Sequence, residues 1–263
     1  IDDSLGWIYN DSLLNIPKVD NSIVITNPPY LTKYSAKRKG VNENVQKYFT
    51  NCEYDDIYLI ALEKMMLDHK YVVAIVPETF INSNFRHKHK LYSITIIEGN
   101  CFDDTETPVC VLCFDGKIKD PSKIHVYKND TYLNNLKYFE DARMSPSKDI
   151  KIVFNDATGN IALRAVDTTN PESMIKFMKK NELDYDLSNI KISSRLITII
   201  RINSINKSGL DMFLRECNRI LQNYRKKTHD VTLSPFKGNM KNGRRRRRLD
   251  YETARAIIET AYN

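Results

Sequence analysis

The stretch Asp20-Asn21-Ser22-Ile23-Val24-Ile25-Thr26-Asn27-Pro28-Pro29-Tyr30 decides how this chain is read. Ile23 to Thr26 is a short β-branched run stopped by Pro28, the pattern of a strand buried on both faces of a parallel sheet. Tyr71-Val72-Val73-Ala74-Ile75-Val76, stopped by Pro77, repeats it. Between the two, residues 55–68 place Ile57, Ile60, Ala61, Leu62, Met65 and Met66 near helical spacing, with Asp55 and Asp56 at the positive end of the helix dipole. Strand, helix, strand in this order predicts a right-handed parallel crossover and an α/β fold. Ligands of such sheets bind at the carboxyl ends of the strands, so Asn27-Pro28-Pro29-Tyr30 stands where a substrate is held.

The chemistry of that turn is specific. Two prolines restrict the backbone, while the Asn27 side chain and the Pro28 backbone each offer a carbonyl acceptor. Two acceptors suit an amino group, and an aromatic amine needs them, because its lone pair is delocalised until the nitrogen becomes tetrahedral. Tyr30 supplies a ring for stacking on a base extruded from a duplex.

In this turn the sequence resembles the adenine-specific (N6) DNA methyltransferases, whose catalytic signature is Asn-Pro-Pro-Tyr; the resemblance covers about residues 7–114 and is closest to the TaqI-like group. It implies a Rossmann-like S-adenosylmethionine-dependent methyltransferase sheet with an antiparallel hairpin, plus a smaller basic C-terminal region. It implies S-adenosyl-L-methionine as cofactor and a flipped-out adenine in double-stranded DNA as substrate, with Asn27, Pro28 and Tyr30 catalytic. Trp7-Ile8-Tyr9-Asn10-Asp11-Ser12-Leu13-Leu14 is similar to the family's preceding strand and acidic turn. Asp11 would then hydrogen-bond the cofactor's adenine amino group, and Ser12, Asn27 and Pro29 would complete the cofactor site. Phe102 sits where the group places a second aromatic, opposite Tyr30 across the adenine. For Phe102 the alternative is a core aromatic of the hairpin, and for Asp11 an ordinary turn residue.

One family element is missing. The Phe-x-Gly-x-Gly turn after the first strand occurs nowhere in the chain, which begins with Ile1. Roughly two strands are therefore expected upstream of Ile1. The same turn chemistry also serves RNA adenine and protein glutamine methylation, and a nucleic-acid-binding module keeping the fold without the cofactor site is a further alternative.

Downstream, residues 93–97 and 108–114 are β-prone runs that read as an antiparallel hairpin ending the parallel sheet. Weaker strands are expected at 124–127 and 152–154, and a helix after Asn170-Pro171. Leu210, Phe213, Leu214, Cys217, Ile220, Leu221 and Tyr224 form the apolar stripe of a helix that Ser208 is placed to cap, and Asp250 opens another that buries Ala254, Ile257, Ile258 and Ala261. This divides the chain into a catalytic domain (1–118), a mixed α/β insert or start of a target-recognition region (119–190) and a basic, mainly helical DNA-binding region (191–263).

Charge supports a polyanionic partner. Residues 191–263 carry 17 Lys and Arg against 6 Asp and Glu, a balance of +11, whereas residues 1–190 carry 23 against 27. Arg244, Arg245, Arg246, Arg247 and Arg248, after a glycine-bearing segment, read as a DNA-contacting loop. Cys110-x-x-Cys113 lies inside an apolar strand without a second pair, and His87 and His89 sit in a basic stretch as solvated or phosphate-facing residues, so no metal is expected. No acidic-acidic-lysine nuclease pattern occurs; a cognate restriction nuclease would be a functional rather than a physical partner. Five unevenly spaced cysteines, no apolar run of membrane-spanning length and no signal-like start point to a soluble chain in a reducing cytoplasm, and the resemblance implies a monomer in a bacterial or phage-infected cell.

Overall fold

The computed structural model describes residues 6, 9–50, 52–103, 105–147, 150–183, 196–203, 205 and 208–262. Contacts divide the chain into two compact units, residues 1–97 with 109–136, and residues 98–108 with 137–263.

The first unit holds β1 (Ile23–Thr26), α1 (Lys33–Arg38), α2 (Asn42–Phe49), α3 (Ile57–Asp68), β2 (Tyr71–Pro77), β3 (Leu91–Ile97), β4 (Val109–Phe114), β5 (His125–Lys128) and β6 (Thr131–Asn135). Its six strands pair in the order β1-β2-β4-β3-β5-β6. β1 and β2 are parallel, as the strand-helix-strand order requires. β4 returns antiparallel between β2 and β3, so the expected hairpin is present within an α/β sheet. It does not end the sheet: β5 joins β3 in parallel and β6 follows antiparallel, carrying the first unit past residue 118.

One face of this sheet is dry. Val72, Ala74, Val76, Ile94, Ile96, Leu112 and Val126 are fully buried, and α3, whose apolar side chains are almost all buried, lies against β2. The other face is open at β1, where Ile23 is 62% and Ile25 81% exposed. The expectation that β1 is buried on both faces is therefore corrected. β1 is an edge strand, and its alternation sends one set of side chains outward.

The second unit contains α4 (Leu136–Asp141), which starts at the junction, then β7 (Ile152–Phe154), β8 (Ile161–Arg164), β9 (Lys176–Lys179), β10 (Ile197–Ile202), α5 (Leu210–Thr228), β11 (Ser234–Asn239), β12 (Arg245–Arg248) and α6 (Tyr251–Ala261). An antiparallel sheet in the order β7-β10-β8-β9 packs its apolar residues with Phe213, Leu214, Cys217 and Leu221 of α5 and Ala254, Ile257 and Ile258 of α6 into one core. Because β10 is central to this sheet, the sheet spans the boundary expected at residue 190. The helix expected after Pro171 is a turn, closed by Ser173 N–H donating to Asn170 O at 3.0 Å, that leads into β9. Gly209 rather than Ser208 is the N-cap of α5, and Asp250 caps α6 through the Thr253 N–H at 2.8 Å.

Charge is buried here in matched form. The Arg225 guanidinium donates two 2.8 Å bonds to the Asp167 carboxylate and bonds of 2.7 and 2.9 Å to Asp230. Asp167 accepts two more from the Ile175 and Arg247 backbone N–H groups. His229 and Asp230, both left-handed, turn the chain back after α5 so that Asp230 reaches Arg225. Burial alone would raise the Asp230 pKa, but the hydrogen bonds and charge of Arg225 outweigh it and hold it below 3.8. Removing one partner strands buried charge, so Arg225→Ala is expected to lose about 3–5 kcal/mol in urea unfolding. The Asp230 contribution is fully present above the ordinary carboxylate pKa and is lost as the pH falls through the lowered folded-state value, which acid titration of stability reads directly.

Candidate active site

Parallel pairing of Thr26 with Ala74 ends β1 level with the middle of β2, and Asn27-Pro28-Pro29-Tyr30 follows at once at the carboxyl end of β1. The turn is held at several points. Pro28 is buried, while Asn27 and Pro29 are exposed. The Tyr30 hydroxyl donates to Ile75 O of the neighbouring strand at 2.9 Å. Immediately beyond, Ile57 N–H donates to Leu31 O at 3.0 Å and Lys33 N–H to Asp55 O at 2.8 Å, fastening the exit of the turn to the start of α3. Thr32 then caps α1 by accepting from Ser35 N–H at 3.0 Å. A turn anchored to a strand on one side and to a helix start on the other has little freedom to swing its polar groups away.

A cavity of about 500 Å³ opens against this turn. Asp11, Ser12, Asn27, Pro28, Pro29 and Tyr48 line it, with Ala61 and Met65 of α3 as its apolar floor. Segments distant in sequence thus meet on one concavity of the size that binds a small molecule. Leu14 and Asn15 N–H groups donate to Asp11 O at 2.9 and 3.0 Å, forming the expected acidic turn. Of the strand expected before it, Trp7 and Ile8 lie outside the described residues, and Tyr9 and Asn10 are exposed and not in a strand.

The Asp11 carboxylate is the charged centre of the cavity. Its Oδ2 accepts from the Tyr48 hydroxyl at 2.7 Å and from Lys47 Nζ at 3.2 Å, and its Oδ1 accepts from Leu13 N–H at 3.2 Å. The Tyr48 bond is the main cause that holds its pKa below 3.8. Three bonds leave one of about four lone-pair sites for a donor from a ligand. Tyr48 and Lys47, on α2, escaped sequence reading because nothing in their spacing marks a helix that reaches back to residue 11.

Tyr30 stands next to this cavity rather than in its wall, with its ring direction set by the bond to Ile75. Phe102 is half-buried on the connection 98–108, which belongs to the second unit. There Glu98 O accepts from Asn239 Nδ2 and from Arg245 Nη2, both at 3.1 Å.

The arginine run is a correction in form. It is not a flexible loop but β12, paired antiparallel with β11. Alternation turns Arg245 and Arg247 inward, at 3% and 1% exposure. Arg246 Nε donates to Asp167 O at 2.8 Å and its guanidinium lies 4.8 Å from the Phe236 ring centre. Arg244 reaches Asp230 at 3.4 Å with half of its side chain exposed. Only Arg244, Arg246 and Arg248 present surface, because the strand period of two gives the other pair to the interior. His87 is also corrected. It packs edge-on to Phe85 at 5.7 Å between ring centres and lies 3.6 Å from Glu63, and burial lowers its pKa. Cys110 is a buried strand residue whose thiol pKa is raised by burial.

No protein-family model matches the chain. No curated protein matches it either. Among solved structures it is similar to a putative class I S-adenosylmethionine-dependent methyltransferase from Listeria monocytogenes, with 17% identity and a TM-score of 0.32. The match spans 45% of this chain and 40% of that one, less than half the length of either. Among the described residues no helix is long and apolar enough to cross a membrane.

The assignment of Tyr48 as the chief partner of Asp11 is directly measurable. In Tyr48→Phe the Asp11 carboxyl is expected to titrate at higher pH than in the wild type, read from its carboxyl carbon shift by NMR. An unchanged titration would show that the Tyr48 hydroxyl is not what holds it down.

Proposed function

We propose that this chain carries the catalytic turn of an S-adenosylmethionine-dependent methyltransferase acting on the N6 amino group of a flipped-out adenine in double-stranded DNA. The observation that carries the reading is that Asn27, Pro28 and Pro29, at the carboxyl end of β1, line one cavity with Asp11 and Ser12. The methyltransferase-like order of strand, turn, helix, strand and antiparallel hairpin supports it.

The residues fit the cofactor in three ways. The cavity has room for a small molecule, its floor at Ala61 and Met65 is apolar, and the Asp11 carboxylate retains acceptor capacity for an amino donor. When bound, the cofactor supplies an electrophilic methyl on sulfur. The side-chain carbonyl of Asn27 and the backbone carbonyl of Pro28 accept the two amino hydrogens of the adenine, which favours a tetrahedral nitrogen and frees its lone pair. Methyl transfer would exchange the S–C bond of the cofactor for an N–C bond to the adenine held by Asn27 and Pro28, and the surplus amino proton would leave to solvent. Tyr30, braced on Ile75, offers its ring to the extruded base. Arg244, Arg246 and Arg248 are the arginines of the run left to meet phosphates.

The test supplies labelled S-adenosylmethionine with unmethylated DNA and RNA in parallel and identifies the modified nucleoside by mass spectrometry. Label in DNA N6-methyladenine, reduced at least about a hundredfold in Asn27→Ala, is the expected result, since two well-placed acceptors contribute several kcal/mol to the transition state. Label only in RNA would move the substrate, and label in neither would overturn the reading.

A further inference from the structure

Four aromatic side chains crowd the far edge of the six-stranded sheet, remote in the strand order from β1: Tyr92 on β3, His125 and Tyr127 on β5, and Tyr132 on β6. His125 is their centre, with ring centroids 6.1 Å from Tyr92, 6.3 Å from Tyr127 and 5.7 Å from Tyr132; Tyr127 and Tyr132 are 5.6 Å apart. Every one of these contacts is tilted or edge-on, with interplanar angles of 52° to 68°. None of these contacts is a face-to-face stack.

Exposure distinguishes this cluster from a core. Val126, between His125 and Tyr127, is fully buried on the opposite side of the sheet, while Tyr92 is 53% and Tyr132 51% exposed. Cross-strand aromatic pairs stabilise a sheet edge, and here they leave about half of Tyr92 and of Tyr132 open to a ligand.

Lysines border the cluster. In the basic stretch before Leu91 and Tyr92, Arg86 is ion-paired with Glu63 and Lys88 Nζ donates to Ile81 O at 3.0 Å, while Lys90 directly precedes β3. Lys119 N–H donates to His89 O at 2.8 Å, bringing the 117–119 segment and its exposed Lys117 to the same end of the sheet. Lys123 is exposed two residues before His125. Lys119 is ion-paired with Asp115 and is discounted. Exposed aromatic rings beside lysines are the chemistry that takes unpaired bases together with their phosphates, and an intact duplex hides the base faces these rings would need.

We propose that Tyr92, His125, Tyr127 and Tyr132 form a stacking platform for single-stranded nucleic acid, with Lys90, Lys117 and Lys123 meeting its backbone. This goes beyond the methyltransferase reading and does not rest on it. The site lies on β3, β5 and β6, whereas the Asn27 turn follows β1 at the opposite edge of the sheet.

Fluorescence anisotropy with a labelled oligothymidylate, without cofactor, tests it in the wild type, Tyr132→Ala, Tyr92→Ala/Tyr132→Ala and Tyr132→Phe. Stacking on one ring is worth about tenfold in affinity, so Tyr132→Ala should weaken binding about tenfold and the double variant further, while Tyr132→Phe stays within about twofold. Wild-type binding that is absent, alanine variants that bind as the wild type does, or a phenylalanine variant as weak as the alanine one would each overturn the proposal. Photocrosslinking of a bromodeoxyuridine oligonucleotide to the unaltered protein guards against misfolded variants. Adducts on the four aromatics support the platform, and adducts confined to other residues reject it. Because no methyl transfer is measured, failure here and failure of the Asn27 assay are separate results.

Discussion

Parallel pairing of β1 with β2 is the constraint on which the site depends. It ends β1 level with the middle of β2, so that Asn27 begins where the strand's hydrogen bonding stops and Tyr30 can reach Ile75 O. The segment from Leu31 to Lys33 is then free to pair with the start of α3. One register thus fixes the polar turn, its aromatic neighbour and the helix that floors the cavity. A shift of one residue would turn Val24 and Thr26 to the face now occupied by Ile23 and Ile25 and carry Asn27 away from Asp11.

Much of this was legible from local pattern. β-Branched runs stopped by proline gave β1 and β2, apolar residues near helical spacing after Asp55 and Asp56 gave α3, and two β-prone runs around a polar connection gave the β3 and β4 pair. The cavity lining of Asp11, Ser12, Asn27, Pro28 and Pro29 was read from a family signature rather than from periodicity, and the structure brings these five residues to one concavity. The contribution of α2 was not legible. The bond from Tyr48 to Asp11 spans 37 residues, and no local rule connects a tyrosine in a short helix to a distant acidic turn.

The arginine run shows why charge composition alone misleads. Five consecutive guanidinium groups read as a phosphate-tracking loop, yet Asp167 and Asp230 draw their segment into the second unit. Buried carboxylates need donors, and here the Arg247 backbone N–H and the half-exposed Arg244 guanidinium serve them, while the inward Arg245 guanidinium donates to Glu98 O and Gly99 O. Buried and surface positions are thereby written in one uniform stretch, and within β12 only the strand period separates them. The aromatic edge at Tyr92, His125, Tyr127 and Tyr132 is a similar case: its residues are spread over three strands and become a cluster through the pairing of β5 with β3 on one side and β6 on the other.

The central claim is that the cavity between the acidic turn and the Asn27 turn is the cofactor site. Its most direct test is amide chemical-shift mapping with S-adenosylhomocysteine, which resembles the cofactor without reacting. The second unit offers a competitor, a cavity of about 460 Å³ lined by Arg164, Lys176 and Asn218. Perturbations confined to residues 9–13, 26–27 and 61–65 are the predicted result. Saturable binding that instead perturbs residues 164, 172–182 and 218–222, or no binding at millimolar ligand, would contradict it.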